Sequence, residues 1–184
     1  TRATSPNLEL IKEFGIRPVV LVRDVFDCLV SLRDHLDRES RRTPVFTATD
    51  DFFSKSQTEQ FDELIDLALP WYVNFVVSWK SAQSEGVGTL WLSYEDMMAD
   101  KAEAVRQVLR FYGLDQFGSR VDAAIAKVDA GDGTRFNRGV RGRGRSLLSA
   151  EQQHRVMDRF GHFPDVDFSM IGIAPSADPV ASQA

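Results

Sequence analysis

Two short apolar runs constrain the fold of this chain more than any other feature: residues 18–22 (Pro-Val-Val-Leu-Val) and residues 89–94 (Thr-Leu-Trp-Leu-Ser-Tyr). Both are too short for a core helix and rich in β-branched or aromatic side chains, so each predicts a strand. The first shows no polar alternation, which predicts burial on both faces, as in a parallel sheet. Helical patterns lie between and after the runs. Strands interleaved with helices predict an α/β fold with a mainly parallel sheet. Two parallel strands do not make a stable sheet alone, and the chain starts at Thr1 without a methionine. We therefore expect an N-terminally incomplete domain.

The helices announce themselves through their caps. Ser5-Pro6 opens a short helix with Leu8, Ile11 and Phe14 on one face, closed by Gly15. Asp27 is a plausible N-cap for a helix running to about Arg38. Residues 39–55 are polar and irregular and predict a surface loop. Ser56 and Glu59 have capping-box spacing for a helix that Pro70 interrupts or restarts. Trp71, Phe75 and Trp79 then recur at helical spacing up to a break at Gly86–Gly88. Asp100 and Glu103 repeat the capping-box spacing ahead of an apolar stripe, Val105, Leu109 and Tyr112, which stops at Gly113. A further helix is expected at about 118–128, and Ser149 with Gln152 caps a last one to about Phe160. We expect one domain over residues 1–172 and a disordered small-residue tail over 173–184.

Bulk properties exclude several classes of function. The chain has 184 residues, 43% of them hydrophobic, and a net charge of −5. That size suits one domain with a sizeable core, and that charge argues against a general nucleic-acid binder. Cys28 is the one cysteine, so no internal disulfide and no cysteine-based zinc site can form. A reducing, cytoplasmic compartment is expected. No apolar run is long enough to span a bilayer.

Two features carry candidate chemistry. Ligands of open parallel sheets bind beyond the carboxyl ends of the strands, and Arg23 is at such an end. Ser31, with Asp27 as cap, would lie in or just after the first helical turn, where the helix dipole favours an anion. A planar, permanently charged guanidinium suits phosphate. The competing reading has Arg23 paired with Asp24, Asp27 or another carboxylate and Ser31 as a small packed residue. The second feature is residues 135–145 (RFNRGVRGRGR), five arginines and no acid. Its glycines would let backbone N–H groups approach an anion. It reads as a lid over a phosphorylated ligand, as a solvated basic loop, or as an RGG-like RNA contact. His35, His154 and His162 form no pair with metal-binding spacing.

Taken in order, these segments resemble the nucleotide-dependent sulfotransferase family. VVLVRDVFDCLVS resembles its 3′-phosphate-binding motif, on which Arg23, Asp27 and Ser31 fall. LWLSYEDMMAD followed by VLRFYGL resembles its Tyr-Glu-Asp strand and the helix after it, and Tyr94 matches the tyrosine that contacts the adenosine portion. FNRGVRGRGRSLLSAEQ resembles its late Arg-Lys-Gly loop, with Asn137, Arg138 and Gly139 on that tripeptide. FVVSWKSA resembles the helix before the Tyr-Glu-Asp strand. The likeness covers roughly residues 8–160. It implies a P-loop-NTPase-like three-layer fold and the donor 3′-phosphoadenosine 5′-phosphosulfate (PAPS), with no metal. It also implies sulfuryl transfer to a hydroxyl or amine of a small-molecule or carbohydrate acceptor. Arg23, Ser31, Tyr94, Asn137, Arg138 and Gly139 would bind the donor.

The family's Lys-Ser/Thr-Gly phosphosulfate loop and its catalytic histidine have no match here. Their expected place is upstream of Thr1, so we expect the chain alone to be inactive in transfer. Neither nucleic acid nor membrane is an expected partner, and a homodimer is compatible with the sequence. The alternatives are a non-catalytic module binding adenosine 3′,5′-bisphosphate, another nucleotide-phosphate transferase with an arginine-rich lid, and, more remotely, an RNA-binding module.

Overall fold

The structure, a computed structural model, describes residues 1–130 and 142–174. It opens with α1 (Ser5–Glu13) and β1 (Val19–Val22), followed by α2 (Val25–Arg38), α3 (Asp50–Ser54), α4 (Gln57–Leu67) and α5 (Leu69–Ser84). Then come β2 (Leu90–Ser93), α6 (Tyr94–Ala99), α7 (Lys101–Phe111), a 3-10 turn (Asp115–Arg120) and α8 (Val121–Asp129). After the undescribed stretch follow α9 (Arg143–Leu147), α10 (Ala150–Gly161) and a short 3-10 turn (Ser169–Ile171).

The two strands pair in parallel, Val19 beside Leu90 and Val22 beside Ser93, which agrees with the predicted parallel α/β arrangement. Val20 and Val22 are buried, but Leu21 is 48% exposed. The expected burial on both faces is therefore wrong for β1. Successive side chains of a strand point to opposite faces, and among the described residues the helical core covers only the face of Val20 and Val22. The exposure sets an expected contrast. Val20→Ala should cost about 2 kcal/mol of stability for lost burial, whereas Leu21→Thr should stay within about 0.5 kcal/mol. Urea denaturation of the two variants checks it.

The core is built by α2, α4, α5 and α10. Phe26, Leu29 and Val30 of α2 meet Phe61, Leu64 and Ile65 of α4, with Leu69 of α5 and Val156 and Phe160 of α10. The sequence signals for α4, α5 and α10 hold. Ser56 with Glu59 and Ser149 with Gln152 both form complete capping boxes, and Pro70 stands in the first turn of a restarted helix.

Three local expectations need correction. Residues 39–55 are not merely a surface loop: Phe46, Ala48 and Phe52 are buried, and the Phe46 and Phe52 rings lie 5.4 Å apart. The polar average of that stretch hides three apolar residues that reach the core. The stripe on α7 is largely exposed, with Val105 at 41% and Tyr112 at 44%. This helix packs against α6, α8 and the end of β2 at the margin of the fold, and the Tyr112 hydroxyl donates to the Arg17 carbonyl. The helix expected at 118–128 begins at Val121, because Asp115–Arg120 takes the tighter 3-10 form. No helix among the described residues is long and apolar enough to cross a membrane. Most of the tail expected to be disordered lies outside the described residues.

Candidate functional site

The chain turns from β1 into α2 at Arg23-Asp24, the carboxyl end of the strand. Asp24, not Asp27, is the N-cap: its Oδ1 accepts from the Phe26 and Asp27 backbone N–H groups at 2.9 and 3.2 Å. The Asp24 N–H in turn donates to Glu95 Oε1 of α6 at 3.2 Å. The sequence offers two aspartates three residues apart, and the earlier one wins because α2 starts immediately after the strand. Burial raises the Asp24 pKa, and the backbone N–H groups that it accepts oppose the rise. The earlier cap displaces Ser31 from the place expected of it. It sits in the second turn of α2, away from the free N–H groups of the first turn. It shares a stripe of the helix with Asp27, one turn before it, and Asp34, one turn after.

Arg23 and Tyr94, matched to the family motifs independently, come together. The Arg23 guanidinium lies over the Tyr94 ring at 4.7 Å, a cation–π contact between the ends of the two paired strands. Arg23 Nη2 is 3.7 Å from Asp27 Oδ2. Its Nε is buried and has no hydrogen-bond partner among the described residues. The predicted pairing of Arg23 with a carboxylate is thus real but loose, since 3.7 Å is longer than a direct hydrogen bond. With 23% of its side chain exposed, Arg23 is held in orientation while its buried Nε has no partner among the described residues. That arrangement fits a phosphate, which a guanidinium binds through parallel N–H donors.

Asp27 does its main work elsewhere. Its carboxylate is 1% exposed and accepts from the backbone N–H groups of Gly142 and Gly144 at 2.9 and 2.7 Å. This docks the start of α9 on α2. Three further contacts continue the docking. Arg143 pairs with Asp34 at 3.0 Å, the Arg145 guanidinium lies 4.2 Å from the centre of the Phe26 ring, and Arg145 also donates to the Gly172 carbonyl. Gly142 has φ +74°, which glycine adopts without strain. A Cβ on Gly144 would stand 2.2 Å from the Phe26 carbonyl carbon. So Arg143, half-buried, and Arg145, exposed, each have a partner within the chain and help to hold it to itself. Asn137, Arg138 and Gly139 lie outside the described residues.

Sequence reasoning missed Asp34, Gly144, Glu95 and the docking role of Asp27. The alternation Gly-Arg-Gly-Arg at 142–145 was a usable signal. Small residues between long cations suit a backbone pressed against an acidic helix face. No group of three or more His, Cys, Asp or Glu side chains among the described residues could hold a metal ion. His35 faces Glu39 at 3.4 Å and His154 faces Asp158 at 3.1 Å.

The sulfotransferase domain family model matches residues 8–129. This chain belongs to that family. The matched region holds Arg23, Ser31 and Tyr94 and stops short of the glycine-arginine segment. A comparison with curated proteins finds no match. In this sulfotransferase domain Cys28 lies one turn beyond Asp24, its Sγ 3.9 Å from the Arg23 carbonyl. Burial pushes the thiol pKa up to about 12 from 9.0. The folded state therefore keeps its proton where the unfolded thiol loses it. The contribution is intact below pH 9 and is lost as pH rises from 9 toward 12. The loss is up to about 1.4 kcal/mol per pH unit. Cys28→Ala should flatten that part of the alkaline stability curve, as measured by urea titrations at pH 8, 9 and 10 in nonreactive buffer.

Proposed function

We propose that this chain supplies the 3′-phosphate-binding part of a sulfotransferase donor site for PAPS. The observation that carries the reading is Arg23: a guanidinium at the carboxyl end of β1, oriented by Tyr94 and Asp27, with its buried Nε unpartnered among the described residues. A 3′-phosphate offers acceptor oxygens to such a group, and Ser31 would add a hydroxyl from the same side of α2. Tyr94 lies where a nucleoside could approach the phosphate-binding arginine. When bound, PAPS would supply an activated sulfuryl group for in-line transfer to a hydroxyl or amine of a small-molecule or carbohydrate acceptor. The charge spread over its equatorial oxygens would call for further cationic donors.

None of the three histidines stands in a sequence context that resembles the family's catalytic base. His35 and His154 face carboxylates of their own helices, and His162 caps the end of α10. On this reading the 184 residues by themselves should hold the nucleotide without transferring its sulfuryl group, because the family's phosphosulfate loop and catalytic histidine have no match in the sequence.

Isothermal titration calorimetry tests the reading. The chain should bind adenosine 3′,5′-bisphosphate at least tenfold more tightly than adenosine 5′-monophosphate, the equivalent of about 1.4 kcal/mol for one charge-assisted contact. Equal affinities would refute a 3′-phosphate site. A radiolabelled-PAPS assay on a panel of alcohols, amines and sugars should show no turnover.

A further inference from the structure

Asp27 touches both halves of the candidate site, and phosphate binding by Arg23 does not by itself explain why. Its carboxylate takes the N–H groups of Gly142 and Gly144, which are 115 and 117 residues away in sequence. The same carboxylate lies at Arg23 Nη2. We infer that Asp27 is a positioning residue: it presents the Arg23 guanidinium to the nucleotide phosphate and couples that guanidinium to the seating of α9 on α2. The inference rests on the proposed 3′-phosphate site.

The chemistry of the carboxylate supports this double role. An ionised aspartate has about four lone-pair directions and no donor. Two of them receive the glycine N–H groups. These short bonds fix the carboxylate in a site from which water is excluded. The remaining directions face Arg23, whose contact at 3.7 Å is electrostatic rather than a made hydrogen bond. Among the described residues the other group against Arg23 is the Tyr94 ring beneath it, and a ring face leaves a guanidinium free to swing in its own plane. The Asp27 charge removes that freedom. A cation oriented in advance gives up less side-chain entropy when its ligand arrives.

Positioning and mere structural support predict different results in a double-mutant cycle. Asp27→Asn keeps the size and one acceptor but removes the charge. In the full chain it should weaken adenosine 3′,5′-bisphosphate binding by roughly fivefold or more, and leave adenosine 5′-monophosphate binding within about twofold. In an Arg23→Ala background the same change should have no further effect on bisphosphate binding. Asp34→Asn, which breaks the Arg143 pair and leaves Arg23 alone, should preserve the ratio of the two affinities. Equal losses in both backgrounds, or tighter bisphosphate binding by Asp27→Asn, would overturn the positioning role while leaving the phosphate site intact. Wild-type chain that binds neither nucleotide would overturn both readings.

A measurement without any variant decides the matter if Asp27→Asn fails to fold. Coupling between sites is reciprocal. Adenosine 3′,5′-bisphosphate should slow amide hydrogen exchange at Gly142 and Gly144 of the wild-type chain, and adenosine 5′-monophosphate should not. Unchanged exchange with the bisphosphate bound would end the proposal.

Discussion

Gly144→Val is expected to destabilise the chain by roughly 3–5 kcal/mol, a large loss for a domain of this size. The reason is the closeness of two backbones. The start of α9 approaches α2 so tightly that even a Cβ would sit 2.2 Å from the Phe26 carbonyl carbon and 2.5 Å from its oxygen. Both atoms belong to the main chain of a buried helix turn, so neither can rotate away. Relief requires lifting α9, and lifting it opens the Gly144 N–H bond to Asp27 and strips the Arg145 guanidinium from the Phe26 ring. Overpacking alone typically costs about 1–3 kcal/mol, and leaving a buried carboxylate short of a donor adds about 1–3 more. Gly161→Ala is the control. Its Cβ would meet nothing within 4 Å, and the change should be neutral or slightly stabilising. Urea denaturation followed by circular dichroism measures both. A Gly144→Val midpoint equal to that of the parent would mean that α9 does not dock on α2 in this way.

Arg23→Ala carries the second large effect, and it concerns the ligand. The variant should lose about 1.5–3 kcal/mol of affinity for adenosine 3′,5′-bisphosphate, the range for a hydrogen bond to a charged group. Its affinity for adenosine 5′-monophosphate should hold within about twofold. The fold should tolerate the change, because Asp27 keeps its two glycine N–H partners and the lost pair at 3.7 Å was never a closed bond. A thermal melt separates the two effects. A bisphosphate loss without a matching drop in melting temperature assigns Arg23 to the ligand. Equal loss for both nucleotides would remove the 3′-phosphate from the account.

What could be read from the linear chain was what depends on near neighbours. Ser56 caps α4 and Ser149 caps α10 because the partner N–H groups are three residues away. Pro70 restarts a helix because it carries no N–H, and residues 90–93 extend because their side chains favour a pleated surface. The juxtaposition of Arg23 with Tyr94 was also within reach, since parallel pairing of two strands brings their carboxyl ends side by side. Each of these follows from the local preferences of a few residues.

Other features depended on segments far apart in sequence. Whether Asp24 or Asp27 caps α2 could not be read from spacing, because both are acceptable N-caps. The choice shows in what Asp27 accepts instead, the N–H groups of Gly142 and Gly144. Leu21 looked as buried as its neighbours, and its exposure reflects which face of β1 the helical core covers. Phe52 sat in a polar stretch and is fully buried beside Phe46. The chain alone thus determined the two strands, most of the longer helices and the cationic end of β1, but not α3 or α9. The tertiary structure decided the partners of that cation, because a carboxylate binds whichever donors packing brings within about 3 Å, and no local pattern records a contact across 115 residues.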